Sequence, residues 1–342
     1  MTNPTIKDVA KMANVSIATV SLVVHNHKRI SQETKDKVLT IIEKLNYHPS
    51  HSARGLVRRK SGNIGFILTD DHFLRTEPFY THIFIGTEFE AHENEFYVLL
   101  TTISSDFNYT DKLPRYILER NVDGLIIAGK VPLPFMSKIA KYSFPVIYVD
   151  YSPSNQRCSG VLVDNIKGGE LATSHLIEYG HRKIAFIGGD IEHPSIKDRL
   201  NGYKNALEKA NLILDENLIE THEDYPGRTN GYNAAEKLFK KNKNITAIFS
   251  CNDAMAVGAM QYMKDNGIRI PDDCSIIGFD DVVGDNAIEP ALSTIRVPKM
   301  EMGTEAMKLM AHLLKDNVNN IIENKKILVP VDLIIRESTK RI

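Results

Sequence analysis

The chain has 342 residues, of which 42% are hydrophobic and 25% are charged. This length predicts two or three domains of ordinary size, and the composition is that of a globular protein. No apolar run is long enough to cross a bilayer, and the first residues lack a charged-then-apolar export pattern. We therefore expect a soluble, cytoplasmic protein that does not enter a membrane.

Three cysteines, Cys158, Cys251 and Cys274, lie far apart in the chain. An odd number at such spacing argues against a disulfide framework and against a zinc site. We expect three reduced and mostly buried thiols. The histidines show no metal-ligand spacing either, so neither a metal nor a cofactor is predicted.

The net charge of −1 conceals an uneven distribution along the chain. Residues 1–60 contain 11 Lys and Arg but only 4 Asp and Glu, a balance of +7, whereas the remainder carries −8. A basic N-terminal segment on an acidic body is typical of a segment that meets a polyanion. Charge alone leaves two alternatives open, which are nucleic acid binding and an ordinary solvated basic face.

Three short helices are predicted in the N-terminal segment. Thr5 and Asp8 have the spacing of a capping box, and apolar residues then recur at helical intervals. Asn14 and Val15 interrupt this pattern, Ser16 can cap a second helix, and a third is expected after Ser31. The expected buried residues are Ile6, Val9, Ala10, Ala13, Val20, Val23, Val24, Val38, Ile41, Ile42 and Leu45.

From Asn63 onward, short apolar runs alternate with amphipathic stretches of helical length, which predicts parallel sheets covered on both faces. The total of about nine strands favours two doubly wound lobes. The clearest runs are residues 64–68, 97–100, 124–128, 146–149, 184–187, 247–249 and 275–279. Polar residues follow several of them, including Asp150, Asn252 and Asp280. Because ligands bind at the carboxyl ends of such strands, a cleft between the lobes is the predicted site.

An ordered set of motifs covers nearly the whole chain. The set comprises residues 5–10, 13–16, 19–21, 45–49, 53–56, 163–169, 180–189, 252–256 and 277–281. The first three form a helix-turn-helix pattern, whose second helix would lie in the major groove. In this order the motifs resemble the lactose-repressor/galactose-repressor family of bacterial transcriptional regulators.

The resemblance implies an all-α helix-turn-helix head over residues 1–47 and a hinge linker over 48–61. It implies an α/β effector and dimerisation domain over 62–342, with two doubly wound parallel-sheet lobes similar to those of periplasmic binding proteins. The expected N-lobe spans about 62–161 and 291–326, and the C-lobe about 162–290 and 327–342. The implied partners are double-stranded operator DNA, a second copy of the chain and a small effector, such as a mono- or oligosaccharide.

The resemblance also assigns roles in the head. The phosphate contacts would come from Thr5, Ser16, Thr19, Ser21, Ser31, Thr34 and Tyr47, and they set register without reading bases. The base readers would be Ile17, Ala18 and Leu22, whereas the family often has Arg at the last position and Asn where His25 stands. We hypothesise that these apolar side chains favour thymine methyl groups, with further readout through DNA shape. Alternatively, Ile17 and Leu22 belong partly to the small core.

Two linker residues complete the implied DNA interface, Ala53 and Leu56. In the family, the linkers of two subunits form paired helices in the minor groove, and a leucine corresponding to Leu56 wedges a central base step open. Unstacking a step costs a few kcal/mol and returns a bent site with more contact. An ordinary linker leucine is the alternative.

The matching positions imply an effector site in the cleft. Arg199 resembles the family arginine that grips sugar hydroxyls or a carboxylate, and Asn252 and Asp280 resemble its hydrogen-bonding partners. Asp150 and Ser195 would add polar groups, and Phe79 and Tyr225 aromatic surfaces. Structural caps or interlobe hydrogen bonds are the alternative for each polar residue.

Three other functions are alternatives to a repressor that responds to a small effector. Met300, Met302, Met307 and Lys308 lie near the surface on which some family members dock a phosphocarrier protein. A solute-binding protein for transport would share the lobes but not the head. Catalysis would need a motif that is missing here or carboxylate pairs such as Asp280 and Asp281, and adjacent strand-end residues usually point apart. We therefore expect a homodimeric repressor and not an enzyme. The sequence does not decide whether the effector lowers or raises operator affinity, or whether two dimers join into a tetramer.

Overall fold

The computed structural model describes residues 4–24, 27, 29–47, 61–73, 78–153, 158–242, 244–282, 289–315 and 324–342. The chain divides into two compact units, Met1–Gly62 and Asn63–Ile342. In the described part of the chain, none of the helices combines the length and apolar character needed to cross a membrane. All three cysteines are free and buried, as predicted.

The first unit contains the three predicted helices: α1 (Ile6–Ala13), α2 (Ile17–Val24) and α3 (Gln32–Lys44). Thr5 and Asp8 form the expected capping box, with the Thr5 amide donating to the Asp8 carboxylate over 2.8 Å. The hydroxyl of Ser16 accepts from the Thr19 amide at 3.0 Å and so caps α2. The small core of the first unit consists of Val9, Ala10, Ala13, Val20, Val23, Val38 and Tyr47.

The second unit contains two six-stranded sheets. The N-lobe sheet has the order β11-β5-β4-β3-β1-β2, and all of its strand pairs are parallel. Its strands are β1 (Asn63–Thr69), β2 (Tyr97–Ile103), β3 (Gly124–Ala128), β4 (Val146–Val149), β5 (Ser159–Val163) and β11 (Lys326–Val329). Its helices are α4 (Asp70–Phe73), α5 (Phe79–Glu93), α6 (Arg115–Leu118), α7 (Leu133–Ile139) and α12 (Lys299–Lys315).

The C-lobe sheet has the order β12-β10-β9-β8-β6-β7, and only β12 runs antiparallel to its neighbour among these described strands. Its strands are β6 (Ile184–Ile187), β7 (Ile219–Glu220), β8 (Ala247–Ser250), β9 (Ser275–Asp280), β10 (Ser293–Arg296) and β12 (Asp332–Ile334). Its helices are α8 (Asn165–Glu178), α9 (Pro194–Lys209), a 3₁₀ turn (Glu216–Leu218), α10 (Arg228–Lys241) and α11 (Asp253–Asp265). The two-lobed α/β architecture predicted from the sequence is confirmed.

The chain passes between the sheets three times: after β5, between β10 and α12, and between β11 and β12. The expected lobe boundaries near residues 290 and 326 were therefore wrong, because β10 belongs to the C-lobe sheet and β11 to the N-lobe sheet. Both strands have only four residues, and Ser293–Arg296 mixes polar with apolar side chains. Pairing with strands distant in the chain decides which sheet each of them joins, and no local pattern in the sequence encodes that pairing.

Helices α5 and α12 approach each other closely in the N-lobe. A Cβ atom on Gly86 would lie 2.0 Å from the Met300 carbonyl oxygen, and one on Gly303 would lie 2.0 Å from that of Ile83. The Thr87 hydroxyl of α5 donates to the Gly303 carbonyl of α12 at 3.3 Å across this contact. The two helices therefore pack backbone to backbone at both glycines, and any larger residue at either position would force them apart.

Candidate functional site

The carboxyl ends of strands from both sheets border a cleft of about 430 Å³. Its position follows from the parallel topology, which brings the loops after successive strands to the same edge of each sheet. All seven residues predicted to bind an effector line it: Phe79, Asp150, Ser195, Arg199, Tyr225, Asn252 and Asp280. These residues are distant in the chain, and the structure brings them together.

Arg199 is the best-anchored cationic side chain of this cleft, and it is only 5% exposed. Its Nε donates to Asn165 Oδ1 at 2.8 Å, and its Nη1 donates to the Cys251 carbonyl at 2.6 Å. Its Nη2 lies 3.2 Å from Asp280 Oδ1. These contacts hold the guanidinium in one orientation, so a ligand meets a preorganised donor.

Asp150 and Asp280 bring carboxylates to the cleft from the two lobes, at the ends of β4 and β9. Asp150 Oδ2 accepts a hydrogen bond of 3.0 Å from the Tyr80 hydroxyl. Both backbones are left-handed, with φ values of 63° and 104°. Side chains other than glycine adopt this conformation at an energetic cost, and such strain is concentrated at functional sites.

Asn252 and Ser195 lie at the N-termini of two helices that point at the cleft. Asn252 Oδ1 accepts from the Met255 amide at 2.9 Å, and its Nδ2 donates to the Pro226 carbonyl at 2.9 Å. Its side chain thus caps α11, which is the structural role given above as the alternative to ligand binding. Ser195 is buried in the first turn of α9.

The aromatic residues Phe79 and Tyr225 also line the cleft. Phe79 is the first residue of α5 and packs edge-on against Tyr80. Tyr225 is 37% exposed. Aromatic faces of this kind suit the apolar side of a sugar ring or a flat heterocycle.

Asp253, directly behind the cleft, is almost completely buried. It accepts hydrogen bonds from the Thr294 hydroxyl at 2.6 Å and from the Val282 amide at 3.0 Å. Burial, together with the nearby Asp280 carboxylate, raises the pKa of Asp253 to about 7. This residue therefore titrates near neutrality, next to the Arg199–Asp280 pair.

The predicted DNA-contacting surface of the head centres on α2. Ile17 is 46% exposed and Ala18 is exposed, whereas Leu22 is half-buried. The exposure of Ile17 argues against a core role for that residue, and Leu22 remains divided between the two interpretations. Ser16 and Ser31 sit at helix N-termini, Thr19, Ser21 and Thr34 are partly exposed, and Thr5 is exposed. Tyr47 differs from this group, because it is 6% exposed and packs in the core.

The family is decided by comparison with known proteins. Residues 5–50 match the model of bacterial regulatory proteins of the lacI family, and residues 173–339 match a periplasmic binding protein-like domain. The ribose operon repressor of Haemophilus influenzae is 34% identical over 337 residues, covering 98% of each chain. This chain belongs to the lacI family. The HTH-type transcriptional repressor PurR of Haemophilus influenzae is 31% identical over 340 residues, covering 99% of each chain.

A solved lacI-family structure shares the fold over its full length. The lac repressor dimer, bound to operator and the anti-inducer ONPF, superposes with a TM-score of 0.81. The two sequences are 25% identical, and the match covers 99% of this chain and 100% of the other. The lacI-family interpretation thus extends to both the head and the lobes. The linker positions Ala53 and Leu56, and also His25, lie outside the described residues.

The structure also places the residues considered for protein docking, catalysis and metal binding. Met302 and Met307 are completely buried in α12, so they cannot form the docking surface considered for a phosphocarrier protein. The adjacent carboxylates of Asp280 and Asp281 point to different partners, because Asp281 pairs with Arg296 and Arg336 at 2.7 Å each. Across the described ranges there is no group of three or more side chains suited to a metal ion.

Sequence reasoning missed several cleft residues of this lacI-family chain, among them Lys130, Tyr151, Asp190, His193 and Asp224. Lys130 and Asp190 follow β3 and β6 by two or three residues, so the rule used for Asp150 would have found them. Asn165 was missed for another reason. Its contact with Arg199 depends on how α8 packs against α9, and no local pattern signals that.

Proposed function

We propose that this chain is a homodimeric, cytoplasmic transcriptional repressor whose affinity for operator DNA changes when a small polyhydroxy ligand occupies the cleft. The observation that carries the proposal is the joining, in one chain, of a helix-turn-helix head to a cleft built around the buried Arg199–Asp280 pair. Binding, and not turnover, is the expected activity of the cleft.

The cleft chemistry favours a sugar. The carboxylates of Asp150 and Asp280 accept hydrogen bonds from hydroxyl groups, and the guanidinium of Arg199 donates to their oxygens. Phe79 and Tyr225 add apolar faces. The name of the ribose operon repressor makes D-ribose the first candidate, and PurR makes a purine base the second.

In the proposed switch, ligand binding favours one arrangement of the two lobes, and the ligand affinities of free and operator-bound protein differ by the same factor. An inducer lowers the operator affinity and a corepressor raises it. Either sign satisfies the linkage, and the direction of the response tells the two apart.

The decisive experiment selects operator duplexes from a random library with the full chain. It then measures their affinity at fixed salt with D-ribose, a panel of mono- and disaccharides, and purine bases. We expect a change of about tenfold with one ligand class. Arg199→Met should abolish this response, whereas the exposed Arg182→Met should keep it. Operator binding that ignores every compound would contradict the ligand-modulated repressor.

For the linker, we propose that Leu56 wedges a base step. Leu56→Ala should weaken binding to the selected operator about tenfold more than binding to unrelated DNA. The exposed Leu39→Ala in α3 is the matched control and should change neither affinity. Equal losses on both kinds of DNA would contradict the wedge.

A further inference from the structure

Lys299 occupies a buried position at the second crossing between the lobes. It is the first residue of α12, and it follows β10 by three residues. Its ammonium donates to the backbone carbonyls of Asp280 at 2.5 Å, Asp281 at 3.1 Å and Val297 at 3.2 Å. A side chain that starts an N-lobe helix therefore ends among backbone oxygens of the C-lobe.

The carbonyls of Asp280 and Asp281 come from an unusual piece of backbone. Both residues are left-handed, with φ values of 104° and 53°, and neither is glycine. Left-handed backbone is unfavourable for such residues and persists only where surrounding contacts hold it. The hydrogen bonds from Lys299 to the Asp280 and Asp281 carbonyls are two such contacts, and they hold the backbone from which the Asp280 carboxylate reaches Arg199.

At the first crossing, Asn165 contacts Arg199, the other member of the Arg199–Asp280 pair. Asn165 begins α8 directly after β5, and its Oδ1 accepts from Arg199 Nε at 2.8 Å. Asn165 and Lys299 thus approach the Arg199–Asp280 pair from two different crossings. Asn165 lies on the C-lobe helix α8, so Lys299 is the support that a rotation of the lobes moves relative to the pair.

We propose that Lys299 is a positioning residue that holds Asp280 in its ligand-binding geometry and couples the occupancy of the cleft to helix α12 of the N-lobe. The coupling rests on the proposed function, in which a ligand of the cleft regulates operator affinity. The positioning of Asp280 does not depend on the identity of that ligand.

The path continues into the N-lobe through packed elements. The close contact of α12 with α5 at Gly86 and Gly303 links Lys299 to α5, which starts at Phe79 in the cleft. The Lys299 ammonium also lies 5.8 Å from the centre of the Phe79 ring. A displacement of Lys299 is therefore passed to the α5–α12 pair as a rigid body.

The charges around Lys299 are mixed. Burial lowers the pKa of Lys299, the carboxylates of Asp280, Asp281 and Asp253 oppose that effect, and Arg296 adds to it. Three carbonyl acceptors and three acidic neighbours surround the Lys299 side chain, so its cationic form is the one that can supply every hydrogen bond.

The first test uses the full chain without any sugar. Hydrogen exchange of residues 276–282 is compared in the wild type, Lys299→Met, Lys299→Arg and Lys308→Met, whose lysine is exposed on the same helix. We expect about tenfold faster exchange in Lys299→Met and near-wild-type exchange in the other two, because arginine keeps the donors. Unchanged exchange in Lys299→Met would overturn the proposal.

The second test titrates the operator complex with D-ribose. For Lys299→Met we expect the midpoint of the ribose response to rise about tenfold, while sugar-free operator affinity stays within about threefold of the wild type. Lys299→Arg should recover most of the response. A Lys299→Met midpoint equal to that of a responsive wild type would overturn the coupling. If the wild type ignores D-ribose, the ligand assignment fails, and the sugar-free exchange still decides the role of Lys299.

Discussion

The guanidinium carbon of Arg199 lies 3.7 Å from the centre of the Phe279 ring, a cation–π contact inside the protein. Gly168 of α8 packs against the same ring, where an added Cβ atom would come within 2.5 Å of a ring carbon. Arg199 is thus positioned by a charged partner at its edge and by an aromatic partner on its face.

Replacing this ring should weaken the cleft more than an equivalent loss in the next strand. Phe279→Leu and Phe249→Leu both shorten completely buried side chains, in β9 and β8. Each variant loses one ring contact, the cation–π contact of Phe279 or the edge-on contact of Phe249 with Phe186, so we expect similar losses of unfolding free energy. Only Phe279→Leu should weaken the response of operator binding to the ligand. Urea unfolding and operator titration of the two variants measure both effects, and an equally weakened response in the two would argue against a role for the ring in holding Arg199.

The left-handed backbone of Asp150 predicts a separation of stability from ligand response. Asp150→Gly and Asp150→Ala both remove the carboxylate and the bond from Tyr80, but only glycine tolerates a φ of 63°. We expect the glycine variant to be about 1 kcal/mol more stable than the alanine variant. Both should lose the response to sugar. Thermal unfolding with operator titration tests the pair, and an alanine variant as stable as the glycine variant would contradict the strain.

The raised pKa of Asp253 predicts a pH-dependent stability. The folded protein keeps a proton until about pH 7, whereas the unfolded chain releases it near the ordinary pKa of 3.8. The stability linked to this group is therefore complete below about pH 4 and is lost as the pH rises towards 7, by up to about 4 kcal/mol.

Asp253→Asn cannot titrate, so its stability relative to the wild type should improve steadily across that range. The exposed Asp332→Asn in β12 serves as the control and should keep a constant offset. Urea midpoints measured at several pH values give the comparison. A constant offset for Asp253→Asn as well would show that the folded and unfolded pKa values of Asp253 are equal.

In the head, Ile17 and Val20 of α2 differ in exposure, and this difference predicts separate effects on operator binding and on stability. Ile17 is 46% exposed, whereas Val20 is fully buried. We expect Ile17→Ala to leave stability within about 0.5 kcal/mol and to weaken operator binding, and Val20→Ala to cost about 2 kcal/mol of stability. Thermal unfolding and operator titration of both variants check this. A destabilised Ile17→Ala variant with normal operator affinity would indicate that Ile17 contributes to the core and not to DNA binding.

The sequence was sufficient for the position of the cleft, since Asp150, Asn252 and Asp280 directly follow strongly apolar strands. Parallel strands bring their carboxyl ends to one edge, so strand-end residues converge whatever their separation in the chain. The same logic could not reveal that Asn252 caps α11 or that Asp150 is left-handed. Those properties depend on backbone angles and partners that no periodicity encodes.

The sheet membership of the last three strands and the supporting contacts were beyond prediction for a different reason. β10, β11 and β12 have three or four residues each, and their pairing with strands distant in the chain decides which sheet each joins. The roles of Asn165 and Lys299 depend on where the chain crosses between lobes, which in turn depends on those strands. Tyr47 has the residue type of a phosphate contact, yet tertiary packing places it in the core of the head.

The interleaved path of the chain has a consequence for protein synthesis. A ribosome delivers the three helices of the head early, and their small core closes within the first 47 residues. Neither lobe can be finished so soon, because the N-lobe sheet waits for β11 at 326–329 and the C-lobe sheet waits for β12 at 332–334. Both lobes therefore receive these strands almost together, between residues 326 and 334, and the nascent head can fold long before either sheet is complete.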